Sequence, residues 1–449
     1  MTNNSNSVYE DTAQQSIEED PHYVTAITEM ADHKAVISSE DIYTSNGVKL
    51  ITKNTTINSS QREGLIKHKL CKPIDQSLIV QNGITVDSLA KEIVHLIKEN
   101  PSLQYLAAFN GDLRALSQEL VLLVLSPYMA FKLTVAKEQR PHLFQHLLLV
   151  TLIAHYLAVR KNLSGTEMRN LLCAALFLDL GELHIDPELL NSTGHLSETE
   201  RCHIYAHPIT GYLIVREVGG IDPAVSIAIQ QHHERLDGSG YPYGLHGEQI
   251  GTITRIVSVA DACASIFARF GSNERLNTFM RLNANKYDLE LLSFVREGFS
   301  HMTNCTVAAN NVKLARLEAV SQLFETWGKF RAALSLLAND SSSPTGELEF
   351  MFDRMANLRS LLFQFGFDSG SLELLVEIAM ADPLIANELA AVLDEIDWQF
   401  KDLEREICRR RETIRAALNE DDNHHLDSWT KELRVYLAEP ITDIQNSIE

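Results

Sequence analysis

The chain has 449 residues, 45% of them hydrophobic, and a formal net charge of −21. That length allows two or three domains with a sizeable core, and so acidic a surface excludes the electrostatic footprint of a DNA or RNA binder. Six cysteines (Cys71, Cys173, Cys202, Cys263, Cys305 and Cys408) lie scattered with no C-x-x-C pair, which suits a reducing cytoplasm and argues against a thiolate zinc site.

Residues 1–22 are polar, with an acidic cluster at Glu18, Glu19 and Asp20, and are expected to form a disordered tail. They do not read as a signal peptide, so the expected setting is cytoplasmic. The stretch KAVISSEDIYTSNGVKLITKNTTI alternates apolar and polar residues around the turn signal Asn46-Gly47, predicting a small β-containing module over 23–95. From about Val86 helical patterns take over. They divide into a connector over 96–139, a domain over 140–300, an extension over 301–338 and a C-terminal region over 348–449. Between the last two, NDSSSPTGE at 339–347 reads as a linker. The most apolar runs, Leu120–Phe131 and His146–Val159, are shorter than a membrane span requires. The charged run KDLEREICRRRETIRAAL at 401–418 reads as a solvated face rather than a pairing surface for a second copy.

Between 142 and 265 several apolar helical stretches each carry one or two His or Asp residues. Ser164 with Glu167 has capping-box spacing and predicts a helix running to Gly181, with Asp179 in its last turn. Ser197 with Glu200 is a second such box, ahead of His207-Pro208. Asp222-Pro223 predicts an N-cap followed by Pro at the first helical position. That helix delivers His232 and His233 just before the Gly-rich DGSGYPYG. His146 and Asp261 lie in two further apolar helices. Imidazoles and carboxylates without thiols suit Mn, Fe or Zn. An ionised Asp179 among leucines needs a cation beside it, and a carboxylate is the usual bridge between two ions. His155 and His195 read as ordinary core or surface residues, and His203 has the i, i+4 spacing of a helical metal pair with His207, of which only His207 is favoured.

The stretch HHERLDGSGYPYGLHGEQI resembles the signature of the HD-GYP family, a branch of the HD metal-dependent phosphohydrolases. His146, His207-Pro208, His232-His233, Gly240-Tyr241-Pro242 and Val259-Ala260-Asp261 follow in family order over roughly residues 140–300. The N-terminal module also resembles one often found ahead of this domain. The resemblance implies a mainly α fold: an HD-type helical bundle, preceded by a small β-containing module and followed by a helical C-terminal region. It implies a two-metal or three-metal centre that hydrolyses cyclic di-GMP in bacterial signalling; for this chain the expected ions are Fe or Mn, one to two in number. By the same resemblance His146, Asp179 and Asp261 are ligands of one ion. Asp179, His207, His232 and His233 are ligands of a second, and Gly240, Tyr241 and Pro242 form a substrate loop.

Two departures matter. Leu178 stands where the family has the histidine of its His-Asp pair, and Glu182 stands where it has a lysine. The first removes a ligand, and the second places an anion where phosphate is expected. His142, one turn before His146, and Glu182 itself are candidate additional ligands. The expected function is therefore a cyclic di-GMP phosphodiesterase. The alternatives are an impaired cyclic di-GMP sensor or scaffold, acting on a protein partner or a second copy through the C-terminal helices, and a phosphohydrolase of another nucleotide. Neither nucleic acid nor membrane is an expected partner.

Overall fold

A computed structural model of the chain describes residues 3–18, 20–108, 113–123, 125–190, 197–270, 273–300, 314–337, 345–364, 372–381 and 383–438. His195 and most of the 339–347 segment lie outside them. The chain divides into two units. One runs through residues 1–192, 196–276 and 283–303, and the other mainly through 304–449.

The first unit begins with two helices, α1 (Asn3–Glu18) and α2 (Pro21–His33). The expected disordered tail is thus corrected: α1 is a helix with Tyr9 and Ala13, four residues apart, buried against Ala206 and Ile209. Two short antiparallel ladders follow. β2 (Ile42–Tyr43) pairs with β3 (Lys49–Ile51) around the Asn46-Gly47 turn, where Gly47 has φ +78°. β1 (Val36–Ser38) pairs instead with a strand far along the chain, β4 (Leu78–Val80). Thr85 caps α3 (Val86–Glu99), where the helical pattern begins.

The bundle is built from α4 (Pro127–Gln139), α5 (Pro141–Arg160), α6 (Gly165–Phe177), α7 (Glu198–Tyr205), α8 (His207–Glu217), α9 (Pro223–Gln231), α10 (Thr252–Phe270) and α11 (Leu289–Phe299). α5 is central, packed between α10 and α6, while α8 and α9 pack on one another. Among the described residues α5 alone is long and apolar enough to cross a membrane, but most of it is buried inside this bundle. Both the Ser197–Glu200 capping box and the Asp222 cap are present.

One boundary differs from expectation. α6 stops at Phe177, Ser164 caps it without a side-chain hydrogen bond, and Leu180–His184 form a separate 3-10 turn. Asp179 is therefore not in a helical last turn but at the bend, with φ −105° and ψ 16°. The reason is tertiary. A Cβ on Gly181 would lie 2.2 Å from the His207 carbonyl oxygen, so the turn's backbone rests directly on the start of α8, which a continued helix could not do.

The second unit packs α12 (Leu314–Leu337), α13 (Thr345–Gln364), α14 (Pro383–Arg409) and α15 (Glu420–Ala438) around Trp327 and Trp429, whose ring centroids are 4.9 Å apart. Thr345 already opens α13, so the expected linker is shorter than 339–347. The 401–418 run is also not a solvated face. Asp402, Glu404 and Glu406 are buried, held by Arg354 at 2.8 Å, Arg434 at 2.8 Å and Arg409 at 2.6 Å respectively. Each acid meets a guanidinium, the condition under which such burial is tolerated.

His155 lies in α5 and is 3% exposed. Burial holds its imidazole down at about 4, against an ordinary 6.5 in the unfolded chain. A folded-state value below the unfolded one gives stability that is full above pH 6.5 and lost as pH falls towards 4. The gap corresponds to on the order of 3 kcal/mol. His155→Leu is expected to lose correspondingly less stability between neutral and acid pH in urea melts. An unchanged loss would assign the acid sensitivity to other groups.

Candidate metal centre

Five segments deliver the site. His146 comes from α5, Asp179 from the bend after α6, His207 from the first residue of α8, His232 and His233 from the end of α9, and Asp261 from α10. They form two groups sharing Asp179, with candidate ligand atoms in each group within 4.8 Å of one another. One is Asp179, His207, His232 and His233, and the other is His146, Asp179 and Asp261.

Hydrogen bonding at the far side of each ring sets what the near side offers. The Nδ1 atoms of His207 and His232 lie 2.7 and 2.6 Å from the carbonyl oxygens of Ile204 and Ile229. A carbonyl only accepts, so each Nδ1 carries the proton and each Nε2 of the neutral ring presents a lone pair. Those two Nε2 atoms are 3.4 Å apart, the Nε2 of His233 is 3.2 Å from that of His207, and Asp179 Oδ1 stands 3.4 and 3.2 Å from His207 and His232. Asp179 Oδ1 is buried and makes no well-formed hydrogen bond. Lone pairs and a carboxylate oxygen thus converge on one small volume, an arrangement that repels itself unless a cation lies between. The second-sphere carbonyl contacts are those that orient metal-binding imidazoles. The donor set therefore fits a divalent ion.

In the second group His146 Nε2 reaches Asp261 Oδ1 at 3.0 Å and Asp179 Oδ2 at 3.4 Å. Protons are the only cations the residues themselves can recruit, and the environment divides them unevenly. Burial opposes ionisation of Asp179, yet His146, His207 and His232 outweigh it and hold the carboxyl well below its usual range. Burial likewise opposes protonation of His146, but its bonds to Asp179 and Asp261 carry it up to about 10. Burial, then the repulsion that protonated His232 and His207 would exert, drives His233 well below its ordinary value.

The loop beside these ligands is held by backbone contact. A Cβ on Gly240 would lie 2.3 Å from Glu234 Cα and 2.5 Å from the His233 carbonyl oxygen, so only glycine fits. The next residue, Tyr241, stacks on His233 with centroids 4.6 Å apart, followed by Pro242. Glu234, which the motif reading passed over, anchors this loop. It is 2% exposed and accepts from the backbone N–H groups of Tyr243 at 2.6 Å and Leu245 at 2.9 Å. Its only sequence signal is an acid directly after the paired histidines.

The remaining candidates separate clearly. His142 is exposed in the first turn of α5 and belongs to neither group, as does His203. Leu178 is fully buried and offers no ligand atom. Glu182 is also in neither group, but it lies in the field of the centre: burial, then the charge of Asp179, push its carboxyl up to about 7.

Residues 133–291 match the family described as HD domain. This stretch of the chain is an HD domain, a class that implies a divalent-metal site. Among curated proteins, the 3′3′-cGAMP-specific phosphodiesterase 1 of Vibrio cholerae serotype O1 is 36% identical over 118 residues, 26% of this chain and 27% of the relative. The cyclic di-GMP phosphodiesterase response regulator RpfG of Xanthomonas campestris pv. campestris is 40% identical over 111 residues, 24% of this chain and 29% of the relative. The chain thus spans less than a third of the length of either. A solved structure of Bd1817, an HDG"Y"P protein from Bdellovibrio bacteriovorus, is 17% identical over 58% of this chain and 94% of that one, with a TM-score of 0.34.

Two outcomes follow from this geometry. Asp179→Ala removes the carboxylate shared by both groups and is expected to lower bound metal, measured by elemental analysis of the purified protein, to background. Retention of stoichiometric metal would show that Asp179 is not its anchor. Gly240→Ala should force the loop off the 233–235 backbone and cost about 1–3 kcal/mol in a urea melt.

Proposed function

We propose that the protein is a metal-dependent phosphodiesterase that hydrolyses cyclic di-GMP, with Fe or Mn as its ion. The observation that carries the reading is the convergence of three imidazole Nε2 atoms and Asp179 Oδ1 on one volume, the far nitrogens of His207 and His232 being already bonded to carbonyls. When bound, a divalent ion would supply Lewis acidity towards a phosphoryl oxygen and acidify a coordinated water.

This chain's own residues do the rest. Asp179 and His207, His232 and His233 would hold one ion, and His146, Asp179 and Asp261 a second, with Asp179 spanning both. The second set is short of one donor, because Leu178 occupies the position of the missing histidine. Tyr241, stacked on His233, places an aromatic face beside the centre where a nucleobase or sugar could lie. Glu234 fixes the height of that loop. In its ionised form Glu182 adds negative charge where a phosphodiester must approach, which weakens substrate binding without altering the ligand set. The relatives' names support a cyclic dinucleotide as substrate, and they include both cyclic di-GMP and 3′3′-cGAMP phosphodiesterases.

The test is anaerobic incubation of Fe(II)- or Mn(II)-loaded protein with cyclic di-GMP and, in parallel, 3′3′-cGAMP, with products resolved by chromatography. Turnover of cyclic di-GMP by the wild type and none by Asp179→Ala is the expected result. No product with either metal, at full metal loading, would favour the sensor reading that Leu178 and Glu182 suggest. Glu182→Gln is expected to lower KM about threefold to tenfold while leaving kcat largely unchanged, as removal of a uniform repulsion should. A fall in kcat would instead make Glu182 part of the centre.

A further inference from the structure

A second polar cluster lies in the first unit, outside the ligand set. Lys132, 1% exposed, pairs with Asp75 Oδ2 at 2.8 Å, and the same oxygen accepts from the Tyr23 hydroxyl at 2.8 Å. Lys132 Nζ also lies 3.2 Å from His184 Nε2. An ammonium only donates, so that nitrogen accepts, and the proton of His184 sits on Nδ1, which contacts Asp20. The rings of Tyr23 and Tyr128 stand 4.0 and 5.1 Å from the ammonium. Every contact of Lys132 is thereby used internally. Asp75 is not satisfied: its Oδ1 is buried and has no hydrogen-bond partner.

These residues line a cavity of about 740 Å³, within the range of about 300–1,000 Å³ that holds small-molecule ligands. Its rim includes residues 67–72, KHKLCK, with three lysines and a histidine and no acid in a chain of net charge −21. Lys72 is held by Glu40, while Lys67, His68 and Lys69 are exposed. A purely structural strut would explain the Lys132–Asp75 pair. It would explain neither the cavity, whose lining includes Asp75, nor the buried and unpartnered Asp75 oxygen, nor the basic rim. An anion suits the rim, aromatic walls suit a flat ring, and a buried carboxylate oxygen calls for a donor on that ring.

We propose that this cavity is a second ligand site, taking a phosphorylated small molecule of mononucleotide size, its phosphate on the Lys67–Lys69 rim and a hydrogen-bond-donating ring edge at Asp75. The site lies next to the metal centre in sequence and in structure. His184 ends the same five-residue turn that begins immediately after Asp179. The inference does not depend on whether the centre hydrolyses a cyclic dinucleotide.

The test is calorimetric titration of the full-length protein with 5′-GMP, guanosine and inorganic phosphate, in the wild type and in Asp179→Ala, which disables the centre. The expected result is saturable binding of 5′-GMP in both proteins, with guanosine and phosphate each at least about tenfold weaker. Lys67→Glu with Lys69→Glu, at exposed positions that do not threaten folding, should weaken 5′-GMP about tenfold or more, and Asp75→Asn should do so separately. No binding at millimolar 5′-GMP would overturn the proposal. So would binding that survives the double rim variant, or binding lost in Asp179→Ala, which would belong to the metal centre.

Discussion

A carboxylate set among leucines can stay ionised only if positive charge is brought to it, and the bundle is arranged around meeting that demand at Asp179. Desolvation alone would raise its pKa and neutralise it. His146, His207 and His232 reverse the balance, yet the Nε2 atoms of His207, His232 and His233 crowd one volume beside the carboxylate. A buried carboxylate and several unprotonated nitrogens stabilise one another only through a shared cation. Hence the interaction that permits Asp179 to be buried is also the one that defines the chemistry.

Holding five segments to that tolerance is done largely by main chain. The turn after α6 rests on the carbonyl of His207 through Gly181, and the loop after α9 rests on the 233–235 backbone through Gly240. Side chains can change rotamer, whereas backbone pressed on backbone cannot yield without moving an element. Glu234 adds two charge-assisted hydrogen bonds to the same loop. The ligands are therefore placed by contacts that carry no chemistry of their own.

Part of the candidate site was legible in the sequence because it sits in short contiguous patterns: the paired histidines, His207-Pro208 and, beside them, the Gly-Tyr-Pro loop. What escaped was whatever depends on a distant partner. The helix carrying Asp179 breaks early because of a contact with α8, which no local propensity encodes. α1 looked disordered because the apolar residues it is seen to bury, Tyr9 and Ala13, find their partners Ala206 and Ile209 far along the chain. The acids of 401–418 looked solvated because two of their partners, Arg354 and Arg434, come from other helices. The partner of β1 was likewise not its sequence neighbour but β4.

The distribution of the ligands along the chain bears on how much of the protein survives in a cell. His146 and Asp261 are 115 residues apart, so the second group of candidate ligands cannot assemble in a growing chain until α10 has joined α5. In any molecule that fails to acquire an ion, the closed bundle must tolerate unshared lone pairs at its middle. Because ion binding adds to folding free energy, unmetallated molecules open more often and meet proteases more often. Metal supply would then govern the abundance of this protein, and not merely the occupancy of its site.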